Sequence, residues 1–213
     1  MDIKLTSDKY IRIDKFPKIC SICHHAIAPK HYLSVLVVSN KLADLVFQCT
    51  NCNSVIIGKY TYVGSDSYYL KTVLPIVPEK VSFEEEIERI SPIFVEIYNQ
   101  AIQAESKSLD QLTGIGLRKS LEFLIKDFLT SQTPENEETI KSSTLSQCIN
   151  NFIQDNNLKE VAKLATWLGN DETHYVRKWE DKDIKDLKRL IKLTVNWIHN
   201  IILTDEYIDD MNS

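Results

Sequence analysis

The sequence predicts an α+β protein in two parts: a small antiparallel β module over residues 1–75, then a mostly α-helical bundle over 82–207. Three observations carry this. Two Cys-x-x-Cys clamps, Cys20 with Cys23 and Cys49 with Cys52, sit among short β-branched and aromatic runs in the first third of the chain. Beyond residue 82 the apolar residues recur at alternating steps of four and three, the spacing of one helix face. Between the two regimes, Leu74-Pro75-Ile76-Val77-Pro78 spaces its prolines so that neither strand nor helix continues.

A Cys-x-x-Cys turn sets two thiolates on one side of a tight knuckle, and two such knuckles close a tetrahedron. Cys20, Cys23, Cys49 and Cys52 are therefore expected to bind one structural Zn²⁺ per chain, as in a zinc ribbon. Four protein sulfurs leave no position for water, so the metal clips the fold and activates nothing. His24 and His25 follow the first clamp and are expected to stay off the metal, since four thiolates already satisfy it. Metal rather than disulfide chemistry fits a reducing compartment. The segment Met1 to Leu5 has no apolar signal region, and no run approaches the roughly 18 apolar residues of a membrane span. The expectation is a soluble cytoplasmic protein without a membrane partner.

Tyr10, Ile11 and Ile13 predict one short strand ahead of the first knuckle. His31 to Val38 and Leu45 to Phe47 predict two more, with Asn40 in the turn between them. Val55 to Ile57 and Tyr60 to Val63 follow the second clamp, and Gly64 to Ser67 turns the chain into Tyr68 to Leu70. So small a sheet needs a metal in place of the core it lacks.

In the helical part, Ser82 and Glu85 read as a capping box before the stripe Phe83, Ile87, Ile90, Phe94, Ile97 and Ala101. Ser91-Pro92 interrupts that stripe as an N-cap followed by proline at the first helical position. A helix from about Ser108 carries Leu112, Leu117, Leu121, Leu124 and Phe128, with Gly114 and Gly116 inside it marking a close backbone contact. Thr130 to Lys141 reads as a loop. Thr144 and Gln147 cap a helix that turns Leu145, Cys148, Ile149 and Phe152 inward. A helix from Asn157 is expected to stop at Gly169-Asn170, and Asp183 to cap a last helix that frays beyond Tyr207. About five helices result.

The net charge of −5 is divided unevenly. Residues 1–80 carry ten Lys and Arg against six Asp and Glu, whereas residues 81–213 carry fifteen against twenty-four. A nucleic-acid surface needs clustered positive charge. The helical part does not offer it and the β module does so weakly, so nucleic acid is a disfavoured partner.

Two helical stretches hold more polar groups than packing requires. Arg118 and Glu122 lie four apart on one helix face, and Asn170, Asp171, His174 and Arg177 follow one another over successive turns. These six residues are the candidate binding site, expected to converge on one pocket or interface. Asp171, Glu172 and Glu122 around the His174 imidazole would repel an RNA backbone.

From about Cys20 to Ile202 the chain resembles the bacterial family catalogued as domain of unknown function 4145. The resemblance rests on the Cys-x-x-Cys ribbon, Tyr98-Asn99-Gln100-Ala101, the block Arg118 to Glu122, and the block Gly169 to His174, in that order. That family looks related to the HEPN helical domains of bacterial antiviral and toxin–antitoxin systems, many of which are dimeric, metal-independent ribonucleases. The resemblance implies a HEPN-like bundle, a homodimer, and a place in phage defence or a toxin–antitoxin-like pair. Such ribonucleases use an Arg followed after four to six residues by His, to stabilise the phosphate and to act on the ribose hydroxyl. Here His174 matches the histidine, but residues 167–169 are Trp, Leu and Gly, so the motif is incomplete. His174, Arg118 and Arg177 are the candidate catalytic residues of that reading. The leading expectation is a non-catalytic sensing or docking module with a protein partner. A ribonuclease using His174 comes second and a zinc-ribbon nucleic-acid-binding protein third.

Overall fold

In the computed structural model, which describes every residue except 6, 8, 9, 38–40, 172–174, 176, 177 and 213, the chain divides into two units, Met1–Glu79 and Lys80–Ser213. Residues Val38 and Asn40, expected at a strand end and in a turn, lie outside the described residues.

Alternation builds the first unit. Its strands are β1 (Asp2–Lys4), β2 (Tyr10–Ile13), β3 (Lys30–Val37), β4 (Leu42–Gln48), β5 (Val55–Gly64) and β6 (Ser67–Leu74). They form one sheet in the order β1-β2-β6-β5-β4-β3. Every neighbouring pair is antiparallel except β2 with β6, which is parallel and corrects the all-antiparallel expectation. Strand β1 also departs from that expectation. It holds too few alternations to stand out in the sequence, yet Ile3 and Leu5 are buried. Val55–Ile57 and Tyr60–Val63 belong to a single strand, because Gly58 and Lys59 keep the ladder register opposite Leu45 and Asp44. Period two places Ala43, Leu45 and Phe47 of β4 on one buried face, with Ile56 and Tyr60 of β5 beside them. The Tyr60 hydroxyl donates to the Lys15 carbonyl at 2.9 Å, so its polar end is satisfied inside that core. Ser65 (φ 47°) and Asp66 (φ 55°) form the two-residue hairpin loop between β5 and β6, both in the left-handed region such a turn requires.

The second unit has seven helices among the described residues, rather than about five. They are α1 (Glu85–Ile90), α2 (Pro92–Ser106), α3 (Asp110–Gln132), α4 (Glu137–Ser142), α5 (Leu145–Phe152), α6 (Asn156–Asp171) and α7 (Ile184–Asn212). Helix α3 is the axis: Leu117, Leu121, Leu124 and Ile125 are fully buried, and α2, α5, α6 and α7 all pack against it. Gly116 makes the expected close approach, since a Cβ there would lie 2.9 Å from the Ala101 Cβ of α2. Leu112, one turn earlier, is 58% exposed and does not belong to the apolar face.

Several boundaries are corrected. The Ser82–Glu85 capping box does not form; α1 starts at Glu85, and the Phe83 amide donates to Glu88 Oε1 at 3.1 Å instead. Ser91 stands between α1 and α2 as expected, but its hydroxyl donates across to Asp127 Oδ2 of α3 rather than to its own helix. The stretch Thr130–Lys141 is not a loop. Helix α3 runs to Gln132, a 3-10 turn spans Pro134–Asn136, and α4 follows because Ile140, the stretch's single aliphatic residue, is fully buried. Helix α7 continues past Tyr207 to Asn212. The Thr144–Gln147 capping box is present in both directions. Cys148 is buried, with its thiol donating to the Ile140 carbonyl at 3.4 Å and its acidity suppressed chiefly by that burial.

Candidate metal centre and the polar cluster of α3 and α6

The two cysteine clamps fold as near-copies of one another. In the first, the His24 amide donates to the Cys20 carbonyl and the Cys20 amide to the His25 carbonyl, both at 3.0 Å. In the second, Asn53 donates to the Cys49 carbonyl at 3.1 Å, and Cys49 donates to the Ser54 carbonyl at 2.9 Å. The residue four places after each leading cysteine turns the chain through the left-handed region, His24 at φ 59° and Asn53 at φ 60°. That turn aims the amide of Ile22 at Cys20 Sγ (3.4 Å), and those of Asn51 and Cys52 at Cys49 Sγ (3.3 and 3.4 Å).

The knuckles face each other with Cys20 Sγ 3.9 Å from Cys52 Sγ and Cys23 Sγ 3.8 Å from Cys49 Sγ. All four sulfurs lie within 4.8 Å of one another. A tetrahedron with zinc–sulfur bonds of about 2.3 Å has edges of about 3.8 Å, so this spacing fits Zn²⁺ without rearrangement. Electrostatics prepare the sulfurs unequally. The His25 amide and the Asn51 side chain bring the Cys23 thiol down to about 5, and the Ser54 hydroxyl and amide lower Cys52. Burial pushes Cys20 up to about 11, so its thiolate needs the cation's charge. His25 turns its ring to the Cys23 carbonyl (Nδ1 at 2.7 Å), and the four-sulfur cluster includes neither histidine. Zinc here would be structural, tying the β4–β5 connection to the segment between β2 and β3. Asn51 and Ser54 were not singled out from the sequence; their role appears only once the knuckles are apposed.

In the helical unit, Arg118, Glu122 and Asn170 meet. Arg118 Nε donates to Asn170 Oδ1 at 2.7 Å, and its Nη1 lies 3.7 Å from Glu122 Oε2. Lys119 and Lys126 also reach Glu122, at 3.3 and 3.2 Å. Their positions three before and four after Glu122 are the spacing that would have revealed them in the sequence. Burial pushes the Glu122 carboxyl up, but the ammonium groups of Lys126 and Lys119 outweigh it and hold the group below the usual carboxylate range. Gly169 is part of the same contact: a Cβ there would lie 3.0 Å from Arg118 Cδ and 3.2 Å from its Cβ. Glycine is present so that α6 can pass over the arginine, and α6 runs on to Asp171 rather than stopping at Gly169-Asn170.

Asp171 ends α6. It is buried, and its two oxygens accept the backbone amides of Lys178 (2.6 Å) and Trp179 (3.0 Å). His174 and Arg177 lie outside the described residues, as does Glu172. Of the three carboxylates expected around His174, Glu122 sits among three cations and Asp171 accepts two backbone amides. Beyond the cluster, Trp167 is 48% exposed and stacks on Trp179, with ring centroids 6.4 Å apart and planes 14° from parallel. Among known protein families, curated proteins and solved structures, none matches this chain.

Proposed function

We propose that the protein is a non-catalytic docking module, in which zinc stiffens the β unit and the helical unit engages protein partners, including a second copy of the chain. The observation that carries this is the polar cluster. Arg118 spends its Nε on Asn170 and faces Glu122, and Glu122 is shared with Lys119 and Lys126. Charges answered within the chain lock α3 to α6 and are not held in reserve for a substrate. The donor set supports the same reading, because four cysteine sulfurs complete the zinc sphere and leave no open position for chemistry. A place in bacterial phage defence or a toxin–antitoxin-like pair belongs to this reading and rests on the resemblance of the four sequence blocks.

A metal-independent ribonuclease is the second reading, favoured by one observation: three cations, Arg118, Lys119 and Lys126, surround a single carboxylate. The two are separated by incubating the full chain with single-stranded RNA and transfer RNA in the presence of a chelator too weak to strip the zinc. Wild type should leave both intact. Cleavage by wild type that His174→Ala abolishes would replace the docking reading with the enzymatic one.

A further inference from the structure

Helix α7, helix α2 and the chain entering α1 enclose a cavity of about 230 Å³ within the helical unit. Its floor is apolar. Ile191 and Val195 of α7 are buried there, and Phe83 meets the Tyr98 ring edge-on, with centroids 5.2 Å apart and planes at 87°. The rim is polar and exposed, formed by Ser82, Glu84, Lys192 and Asn196. Sites for drug-sized ligands span roughly 300–1,000 Å³. At about 30 Å³ per water, this smaller one holds a ligand of about eight non-hydrogen atoms.

The polar side chains around this cavity are unanswered among the described residues. Tyr98 is only 8% exposed, yet its hydroxyl forms no hydrogen bond there, whereas a buried tyrosine hydroxyl ordinarily finds a partner. The hydroxyl is not sealed among apolar atoms, so it opens on the cavity that Tyr98 lines. Burial, with Glu105 nearby, pushes the phenol above its ordinary value, so at neutral pH it keeps its proton and can donate. At the rim, the side chains of Ser82, Glu84, Lys192 and Asn196 make no hydrogen bond or ion pair among the described residues. Glu84 and Lys192 thus line one cavity as acid and base without pairing with each other. Lys192 differs in this from its neighbours Lys188 and Arg189, which Glu105 and Asp186 answer.

A phenol donor and an ammonium sharing one cavity suit a carboxylate. The Glu84 carboxylate at the same rim suits an ammonium, and the apolar floor suits a short branched chain. A simple acid would leave Glu84 facing an anion, and a simple amine would leave Lys192 facing a cation. We propose that the cavity binds a small zwitterion of the amino-acid class, its apolar body against Ile191 and Val195, its carboxylate at Tyr98 and Lys192, and its ammonium at Glu84. The inference goes beyond the docking reading, giving the helical unit a small-molecule ligand, and it stands whether or not RNA is cleaved.

Isothermal titration and thermal unfolding of the full zinc-loaded chain decide it, with three probes of one skeleton. These are L-valine, isovalerate, which lacks the ammonium, and isobutylamine, which lacks the carboxylate. At millimolar concentrations L-valine should bind and raise the unfolding temperature. Isovalerate should bind about fivefold more weakly, and isobutylamine at least about tenfold more weakly. Tyr98→Phe should weaken L-valine binding about tenfold. It should leave the unfolding temperature of the free protein unchanged, because the lost hydroxyl has no partner there. Lys192→Met should weaken L-valine binding about fivefold. No binding of L-valine would overturn the proposal. So would isovalerate binding as tightly as L-valine, or a Tyr98→Phe protein that binds unchanged or unfolds at a lower temperature without ligand.

Discussion

Replacing Gly169 by alanine should destabilise the helical unit, although alanine is the better helix former. The new methyl would enter 3.0 Å from Arg118 Cδ and 3.2 Å from Arg118 Cβ, where carbon atoms ordinarily rest about 3.5–4.0 Å apart. The Arg118 Cα, at 3.6 Å, is already in normal contact, so the side chain must yield rather than the helix. Yielding carries Nε away from Asn170 Oδ1, now at 2.7 Å. Helix propensity contributes about 1 kcal/mol in favour of alanine. Against it stand about 1.5 kcal/mol for a charged hydrogen bond and at least about 1 kcal/mol for overpacking, the low ends of both ranges because Arg118 retains some water contact. The net loss is about 1.5 kcal/mol. Urea unfolding followed by tryptophan fluorescence measures it in the intact chain, because Trp167, Trp179 and Trp197 all lie in the helical unit. In an Arg118→Ala background the clash with Cδ and the bond to Asn170 are both gone. Gly169→Ala should then be nearly neutral, giving a coupling of about 1 kcal/mol or more between the two sites. Should Gly169→Ala stabilise the protein by its propensity alone, equally in both backgrounds, the packing argument fails.

Two further outcomes follow from the same geometry. The purified wild-type chain should carry one equivalent of zinc and Cys49→Ser much less, with the β unit losing most of an apparent metal-binding energy of about 10–16 kcal/mol typical of small structural sites; less than half an equivalent in wild type, with all four thiols titrating freely in the native state, would refute the assignment. Ser91→Ala should cost about 1.5–3 kcal/mol by removing the donor to the Asp127 carboxylate. Burial pushes the Asp127 carboxyl above its ordinary value and the Ser91 hydroxyl draws it part of the way back, so the cost is present while the carboxylate is ionised and fades as pH falls through its raised pKa. A penalty equally large with Asp127 protonated would show that the hydroxyl serves the α2 terminus instead.

Much of the fold was legible because its determinants are local. The Cys-x-x-Cys spacing predicts its own knuckles, the Thr144–Gln147 box predicts where α5 starts, and Ser91-Pro92 predicts the break between α1 and α2. Where the sequence misled, a distant partner decided the outcome. The polar run before Lys141 becomes helical because Ile140 has a core to enter, and β1 forms because β2 offers it an edge. Ser91 has the signature of an N-cap, but a half-buried carboxylate on α3 competes for its hydroxyl and wins. The β2–β6 parallel pairing joins strands separated by most of the unit, which no short-range pattern records.

The candidate site shows the same division more sharply. Spacing alone placed Arg118 and Glu122 together, and they are together. Gly169-Asn170, by contrast, has the composition of a helix stop, and the chain uses it in the middle of a helix. The reason is Arg118: the glycine lets the arginine's aliphatic stem lie against α6, and the adjacent asparagine receives its guanidinium. Ala101 and Gly116 make the equivalent device between α2 and α3, and Asn99 next to it ties α2 to the chain entering α1 by accepting the Val81 amide at 2.8 Å. All four blocks quoted for the resemblance therefore contribute residues to packing contacts or to the four-sulfur cluster. Blocks of that kind report a shared architecture more directly than a shared reaction, and a reaction would have to be carried by residues that these contacts leave uncommitted. In the Gly169 to His174 block, Gly169 and Asn170 contact Arg118 of α3, and Asp171 accepts the Lys178 and Trp179 amides. His174 lies outside the described residues, and the His174→Ala substitution tests the enzymatic reading directly.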